Sequence, residues 1–195
     1  MLSPEPSSDP STASIPVYAN RGGAAAWRRP VALVPAALLA VLCVLRYDAD
    51  AHGFISGFTA AVLIALAATD LQERLIPNRI VVPAAAIVLA AQLAFYPDRA
   101  AEWIVSAFGA ALFLFIPAII RTGAIGMGDV KLALLLGAAL GYSVLSALTI
   151  GFLAMAPVAL YMLVREGSAA RKKYLPLGPF LAAATILVLL TAGAA

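Results

Sequence analysis

The feature that most constrains this chain is a stretch without any charged side chain, Leu132 to Val164, which is 33 residues long. As one α-helix it would measure roughly 50 Å. The hydrocarbon core of a bilayer is about 30 Å thick, so the stretch is too long for a single crossing. Gly141-Tyr142-Ser143 is the best place for a tight hairpin, because glycine and serine favour turns. We therefore expect two helices here, the first of them short.

Similar apolar runs precede and follow this stretch. The chain has 63% hydrophobic and 12% charged residues, whereas soluble domains carry about 25% charged residues. We predict an all-α membrane protein, a bundle of about seven transmembrane helices in which six form a core and one precedes it. The apolar runs cover residues 30–45, 53–69, 80–96, 103–120, 130–141, 144–164 and 177–194.

The N-terminal part differs from the rest in composition. Residues 1–26 are rich in Ser, Pro, Ala and Gly and predict a disordered cytoplasmic tail. Trp27-Arg28-Arg29-Pro30 is typical of a membrane interface. We expect residues 27–52 to form an additional span and its loop, and residues 53–195 to form the main membrane domain.

The positions of Lys and Arg predict the orientation in the membrane. With a cytoplasmic N-terminus, eleven of the 13 basic residues lie on the cytoplasmic side, and only Arg46 and Arg99 lie outside. This asymmetry matches the positive-inside rule, and an odd number of spans places the C-terminus outside. Because the basic residues stand at span ends and the net charge is only +3, the charge does not indicate a nucleic-acid partner. Cys43 is the only cysteine, which excludes an internal disulfide and a cysteine-rich zinc site.

Two aspartates stand at the ends of apolar runs on the predicted cytoplasmic side. Asp70 follows the run Gly53–Thr69, and Asp129 precedes the run Val130–Leu140. A charge near hydrocarbon costs at least about 2.5–3.5 kcal/mol, so such residues usually have a function. Paired carboxylates at short range in a low-dielectric site share one proton, and a water between them can hydrolyse a peptide bond. The pair is our candidate for the catalytic site of an aspartyl protease.

The neighbours of the two aspartates support this interpretation. Gly126 and Gly128 remove side chains before Asp129, which lets a substrate backbone approach and the chain bend. Pro77 ends the helix that carries Asp70, and Asn78 is a suitable N-cap for the next span. Taken singly, Asp129 could be a helix N-cap and Asp70 could pair with Arg74.

Three other features have competing interpretations. Lys131 could contact substrate or lipid phosphates, and extension toward the lipid interface is favoured. His52, the only histidine, is interpreted as a loop residue on the outer side. Two GxxxG patterns, Gly53–Gly57 and Gly137–Gly141, allow close helix packing, although chance matches are common in a chain rich in Ala and Gly.

At this point the motifs match a family. Asp70-x5-Ile76-Pro77-Asn78, then Gly126-Met127-Gly128-Asp129-Val130-Lys131-Leu132 and Pro176-Leu177-Gly178-Pro179-Phe180-Leu181, resemble the type IV prepilin peptidases and archaeal preflagellin peptidases, which are GxGD membrane aspartyl proteases. The resemblance covers residues 53–195 and implies that Asp70 and Asp129 are the catalytic pair. It also implies cleavage of the basic leader of a prepilin or pseudopilin at the cytoplasmic face of the inner membrane, with lipids as the other partner and no cofactor or metal.

The chain also departs from the larger family members. Those carry paired Cys-x-x-Cys motifs in a cytoplasmic domain and methylate the new N-terminus, so a single cysteine puts methylation in doubt. The chain looks more like the compact peptidases of Flp/Tad-type pilus systems. Two alternatives stay open: a GxGD protease with another substrate, and a transporter or assembly protein that uses the aspartates for ion coupling.

Overall fold

The computed structural model describes residues 30–46, 50–73, 76–120, 125–166 and 177–191, and within these ranges all regular structure is helical. The helices coincide in position with the seven predicted apolar runs. They are α1 (Pro30–Arg46), α2 (Ala51–Glu73), α3 (Asn78–Phe95), α4 (Ala100–Ile120), α5 (Met127–Leu140), α6 (Val144–Glu166) and α7 (Gly178–Thr191), with short 3-10 turns at Pro97–Arg99 and Gly141–Ser143.

Four segments within these ranges are long and apolar enough to cross a membrane. They are Ala51–Gln72, Asn78–Phe95, Pro97–Ile120 and the 39-residue segment Met127–Arg165, while Gly178–Thr191 is shorter. The outward faces of the helices present large apolar side chains, as lipid-facing surfaces do. The structure is therefore that of an integral membrane protein, and the count of seven crossings stays a prediction.

The long uncharged stretch is interrupted where the sequence predicts. Gly141 ends α5 with φ 57° and ψ −139°, a conformation that glycine adopts without steric cost. A Cβ at this position would also meet the Glu102 carboxylate and would lie 2.9 Å from the Trp103 ring. The break confirms the predicted turn at Gly141-Tyr142-Ser143.

Helix α5 forms the centre of the bundle. From Leu132 to Leu140 it is apolar on every side, and nearly all residues from Asp129 to Leu140 are buried, with α3, α4 and α7 as neighbours. The helix is only about 21 Å long, which is less than the thickness of a bilayer core. Asp129 therefore lies in the first turn of a helix that is covered by protein.

Two glycines allow close helix contacts, in agreement with the predicted GxxxG packing. A Cβ on Gly57 would lie 2.8 Å from the Ala40 carbonyl oxygen of α1. A Cβ on Gly137 would meet the Ser106 carbonyl oxygen and lie 2.6 Å from the Ala107 Cα on α4. Each glycine thus packs its helix directly on a neighbouring backbone.

An aromatic and charged cluster lies at the start of α2, the end opposite Asp70. The His52 ring packs edge-on against Tyr96, with 5.0 Å between ring centroids, and lies 6.2 Å from the Trp103 ring. Arg99 pairs with Glu102 at 2.8 Å. The interpretation of His52 as a loop residue is therefore wrong: it lies in the first turn of α2 and is buried, because its ring fills space between two aromatic side chains.

Candidate active site

Asp70 lies in the last turn of α2 and is 3% exposed. The backbone of Gly178, the first residue of α7, lies beside its carboxylate. Oδ2 itself has no hydrogen-bond partner of ordinary geometry among the described residues. A carboxylate in this position is shielded from solvent and has one oxygen available for a further contact.

Asp129 is the third residue of α5 and is also 3% exposed. Gly126 is the N-cap residue of this helix, and its carbonyl accepts hydrogen bonds from the N–H groups of Asp129 (3.0 Å) and Val130 (3.4 Å). The alternative in which Asp129 is the N-cap is therefore wrong, because the helix starts three residues earlier than such a cap requires. The first turn of α5 carries a partial positive charge that favours a carboxylate there.

The segments that follow Asp70 contact the segment that contains Asp129. Ile76 fills the space beside Gly128, where a Cβ would lie 2.9 Å from the Ile76 Cβ. Lys131 Nζ donates a hydrogen bond to Asn78 Oδ1 at 2.8 Å. Helix α2 packs against both α5 and α7, so three separated parts of the sequence meet at one end of the bundle.

The structure assigns positions to the other predicted site residues. Pro77 has extended backbone angles, φ −70° and ψ 118°, and occupies the N-cap position of α3. Asn78 is the first helical residue and makes no capping hydrogen bond, so its predicted N-cap role is wrong. Its side chain binds Lys131 instead, because α5 brings a stronger charged donor close to it. The predicted alternative pairing of Asp70 with Arg74 falls outside the described residues.

An apolar cavity of about 630 Å³ lies between α4, α6 and the segment that leads into α5. Ile125, which immediately precedes Gly126, forms part of its wall together with Pro117 and Phe152. The cavity thus borders the residue before the Gly-x-Gly-Asp segment, and its apolar lining suits apolar groups.

No three or more His, Cys, Asp or Glu side chains in the described ranges are grouped so as to hold a metal ion. The absence of a metal from the reaction stays a prediction. The residue that sequence reasoning missed is Gly178, which was part of a motif but had no assigned role. Its contact with Asp70 joins positions more than a hundred residues apart, and only the motif Pro176–Leu181 pointed to it.

Comparisons with known proteins indicate one family. Residues 57–163 match the type IV leader peptidase family. A protein of Bacillus subtilis (strain 168) named "Prepilin leader peptidase/N-methyltransferase" is 34% identical over 168 residues, which cover 81% of this chain and 66% of that protein. The chain thus spans slightly less than two thirds of this relative's length, and no solved structure gives a significant match. Both buried aspartates fall within the matched residues, and the chain belongs to the type IV leader peptidase family.

Proposed function

We propose that this protein is a membrane aspartyl endopeptidase that removes the leader peptide of prepilin-like proteins. The observation that carries the proposal is the burial of Asp70 and Asp129 in α2 and α5, whose motif segments contact each other at one end of the bundle. Membership in the leader peptidase family and the name of the Bacillus subtilis relative support the same activity.

The chemistry follows from two carboxylates that share one proton. The ionised carboxylate takes a proton from a water molecule, whose oxygen attacks the scissile carbonyl carbon. The protonated carboxyl donates its hydrogen to the carbonyl oxygen and stabilises the tetrahedral intermediate. When the C–N bond breaks, the departing amine takes a proton from the pair, and the two products are a carboxylic acid and a new N-terminus. Because the two groups titrate as a unit, neither replaces the other.

The orientation and the substrate belong to the same proposal. The eleven-to-two distribution of basic residues favours a cytoplasmic active site with the N-terminus inside. A basic leader held in the cytoplasm by an apolar membrane helix would present its cleavage site at that face. The site would then support assembly of a pilus or a related secretion system in the inner membrane.

The two alternatives predict different features. Transporters place their ion-coupling carboxylates near the middle of the membrane, whereas Asp70 and Asp129 lie in terminal helical turns. This position favours hydrolysis at the membrane boundary over ion coupling. A GxGD protease with another substrate would share the site and differ only in the peptide that it cleaves.

The experiment compares Asp70→Asn and Asp129→Asn with the wild-type protein, using a co-expressed prepilin. Each variant should lose at least about 100-fold in cleavage, because each removes one partner of the acid–base pair. Asp98→Asn, an exposed aspartate at the opposite end of the bundle, is the matched control and should cleave normally. Near-normal cleavage by either site variant, in protein that accumulates in the membrane, would refute the assignment.

The cleaved pilin also shows whether the protein methylates the new N-terminus. We predict proteolysis without methylation, since the 195 residues contain one cysteine and therefore no Cys-x-x-Cys pair. Mass spectrometry of the mature pilin should show an unmethylated N-terminus in cells where this protein is the only such peptidase. A methyl group that is added by the purified protein with a methyl donor would contradict the prediction.

A further inference from the structure

The N-terminus of α7 is built to face a buried acceptor. Gly178 is the first residue of the helix, and both Gly178 and the preceding Leu177 are buried. The first amides of a helix have no partner within it. Pro179, the second residue, has no N–H, so the Gly178 amide is the only backbone donor of the first two helical residues. This amide lies beside the carboxylate of Asp70.

The Asp70 carboxylate provides a second, independent observation. Its side chain is almost completely buried, and Oδ2 lacks a hydrogen-bond partner of ordinary geometry among the described residues. Asp70 also lies in the last turn of α2, where the partial negative charge of the helix end opposes a carboxylate. The N-terminus of α7 supplies the opposite partial charge at the same place. The positive end of α7 therefore offsets the unfavourable effect of the negative end of α2 on the Asp70 carboxylate.

The contact leaves no room for a side chain. A Cβ on Gly178 would lie 2.6 Å from Asp70 Oδ2 and 3.2 Å from its Cγ. Because Asp70 is buried, its carboxyl group cannot move into solvent to avoid that atom. Any other residue at this position would rotate the carboxyl group or push α7 away from α2.

We propose that Gly178 is a positioning residue for Asp70, and that its backbone amide and its missing side chain together hold the carboxyl group in its reactive orientation. The role in turnover rests on the proposed peptidase function. The contact itself does not depend on that function and is tested separately below.

The kinetic test is Gly178→Ala, assayed with purified protein and a prepilin peptide. We expect kcat to fall by about 100-fold, the cost of a misplacement on the order of 1 Å. KM should stay within twofold, because the substitution moves a reacting group and not a substrate contact.

Two further glycines serve as matched controls. Gly109→Ala on α4 adds a Cβ with nothing within 4 Å, and Gly151→Ala adds one 2.8 Å from Leu181 Cδ2, the flexible end of a side chain on α7. Both controls should keep kcat within about threefold of the wild-type value. Normal turnover by Gly178→Ala, an equal loss in Gly151→Ala, or a change confined to KM would each overturn the proposal.

The second test needs no activity. Gly178→Ala should lower the unfolding temperature in detergent by more than about 3 °C. In an Asp70→Ala background it should lower it by less than half as much, because the carboxyl group that the new Cβ meets is gone. If Gly178→Ala fails to accumulate alone, recovery of accumulation in the double variant is the supporting result. Equal effects in both backgrounds would overturn the contact, and a wild-type protein that cleaves no prepilin would refute the proposed function alone.

Discussion

Lys131 stands two residues after Asp129 and has a defined partner within the protein. The sequence interpretation favoured extension toward the lipid interface, with substrate contact as the alternative. In the structure, Lys131 Nζ donates a hydrogen bond to Asn78 Oδ1 at 2.8 Å and so links the N-terminal parts of α5 and α3. The pair is exposed, and a hydrogen bond of this kind contributes about 0.5–1.5 kcal/mol net. Its position beside both motifs suits it to hold the two segments in register.

At this scale we predict that Lys131→Met lowers kcat/KM by about threefold to tenfold, the equivalent of losing one such hydrogen bond. Asn78→Ala should have an effect of similar size, and the double variant should be no worse than either single variant, because both remove the same bond. Arg79→Met, which changes an exposed basic residue next to Asn78, is the control. Additive losses in a cleavage assay would show that the two side chains act separately.

The role of a residue could be predicted where the local sequence pattern determines it. The functional interest of Asp70 and Asp129 followed from a charge beside an apolar run, and the turn at Gly141 followed from an uncharged stretch too long for one crossing. The prediction that Asn78 caps α3 was wrong, because its side chain accepts a hydrogen bond from Lys131 on α5, a contact that the local sequence does not show. The contact of Gly178 with Asp70 was beyond reach, since no local pattern states which helix end faces which side chain.

Among the helices, α5 is surrounded most closely by other parts of the protein. From Leu132 onward this short helix is apolar on all sides, so no amphipathic pattern indicates which face meets which neighbour. The sequence therefore predicted the helix but not its central position in the bundle. One contact of α5 depends on Gly137, whose Cα packs directly on the α4 backbone at Ser106 and Ala107. A backbone cannot give way as a flexible side chain does, so this contact is intolerant of added volume.

We predict that Gly137→Ala destabilises the protein by about 1–3 kcal/mol, the usual cost of overpacking a close contact. Gly109→Ala lies on α4 with open space around the new Cβ and should be neutral or slightly stabilising, because alanine is the better helix former. Thermal unfolding in detergent measures both variants. A Gly137→Ala protein that unfolds at the wild-type temperature would show that α5 and α4 separate more easily than the structure indicates.

The molecule as a whole has two chemically different ends. One carries the buried aspartates and the N-termini of α3, α5 and α7, and the other carries the His52, Tyr96, Arg99, Glu102 and Trp103 cluster. The order and alternating direction of the helices determine which side chains lie at the same end of the bundle. The choice of the end that faces the cytoplasm rests on the basic residues, and it stays a prediction.

Cysteine labelling of intact cells tests this orientation. In a Cys43→Ser background, we expect Asp98→Cys to react with a membrane-impermeant maleimide from outside. Arg79→Cys should react only after the cells are permeabilised. Both positions are exposed and lie at opposite ends of the bundle, so each is the control for the other. The reverse pattern would place the aspartates on the outer side.

The contact between Asp70 and Gly178 has a consequence for biosynthesis. A membrane protein is inserted in chain order, and Asp70 belongs to the second described helix while Gly178 opens the seventh. During most of translation the aspartate therefore stands in the bilayer without the amide that faces it in the finished protein. If the chain is the peptidase proposed above, its site is complete only when α7 docks, and we expect a nascent chain to be inactive toward its substrate.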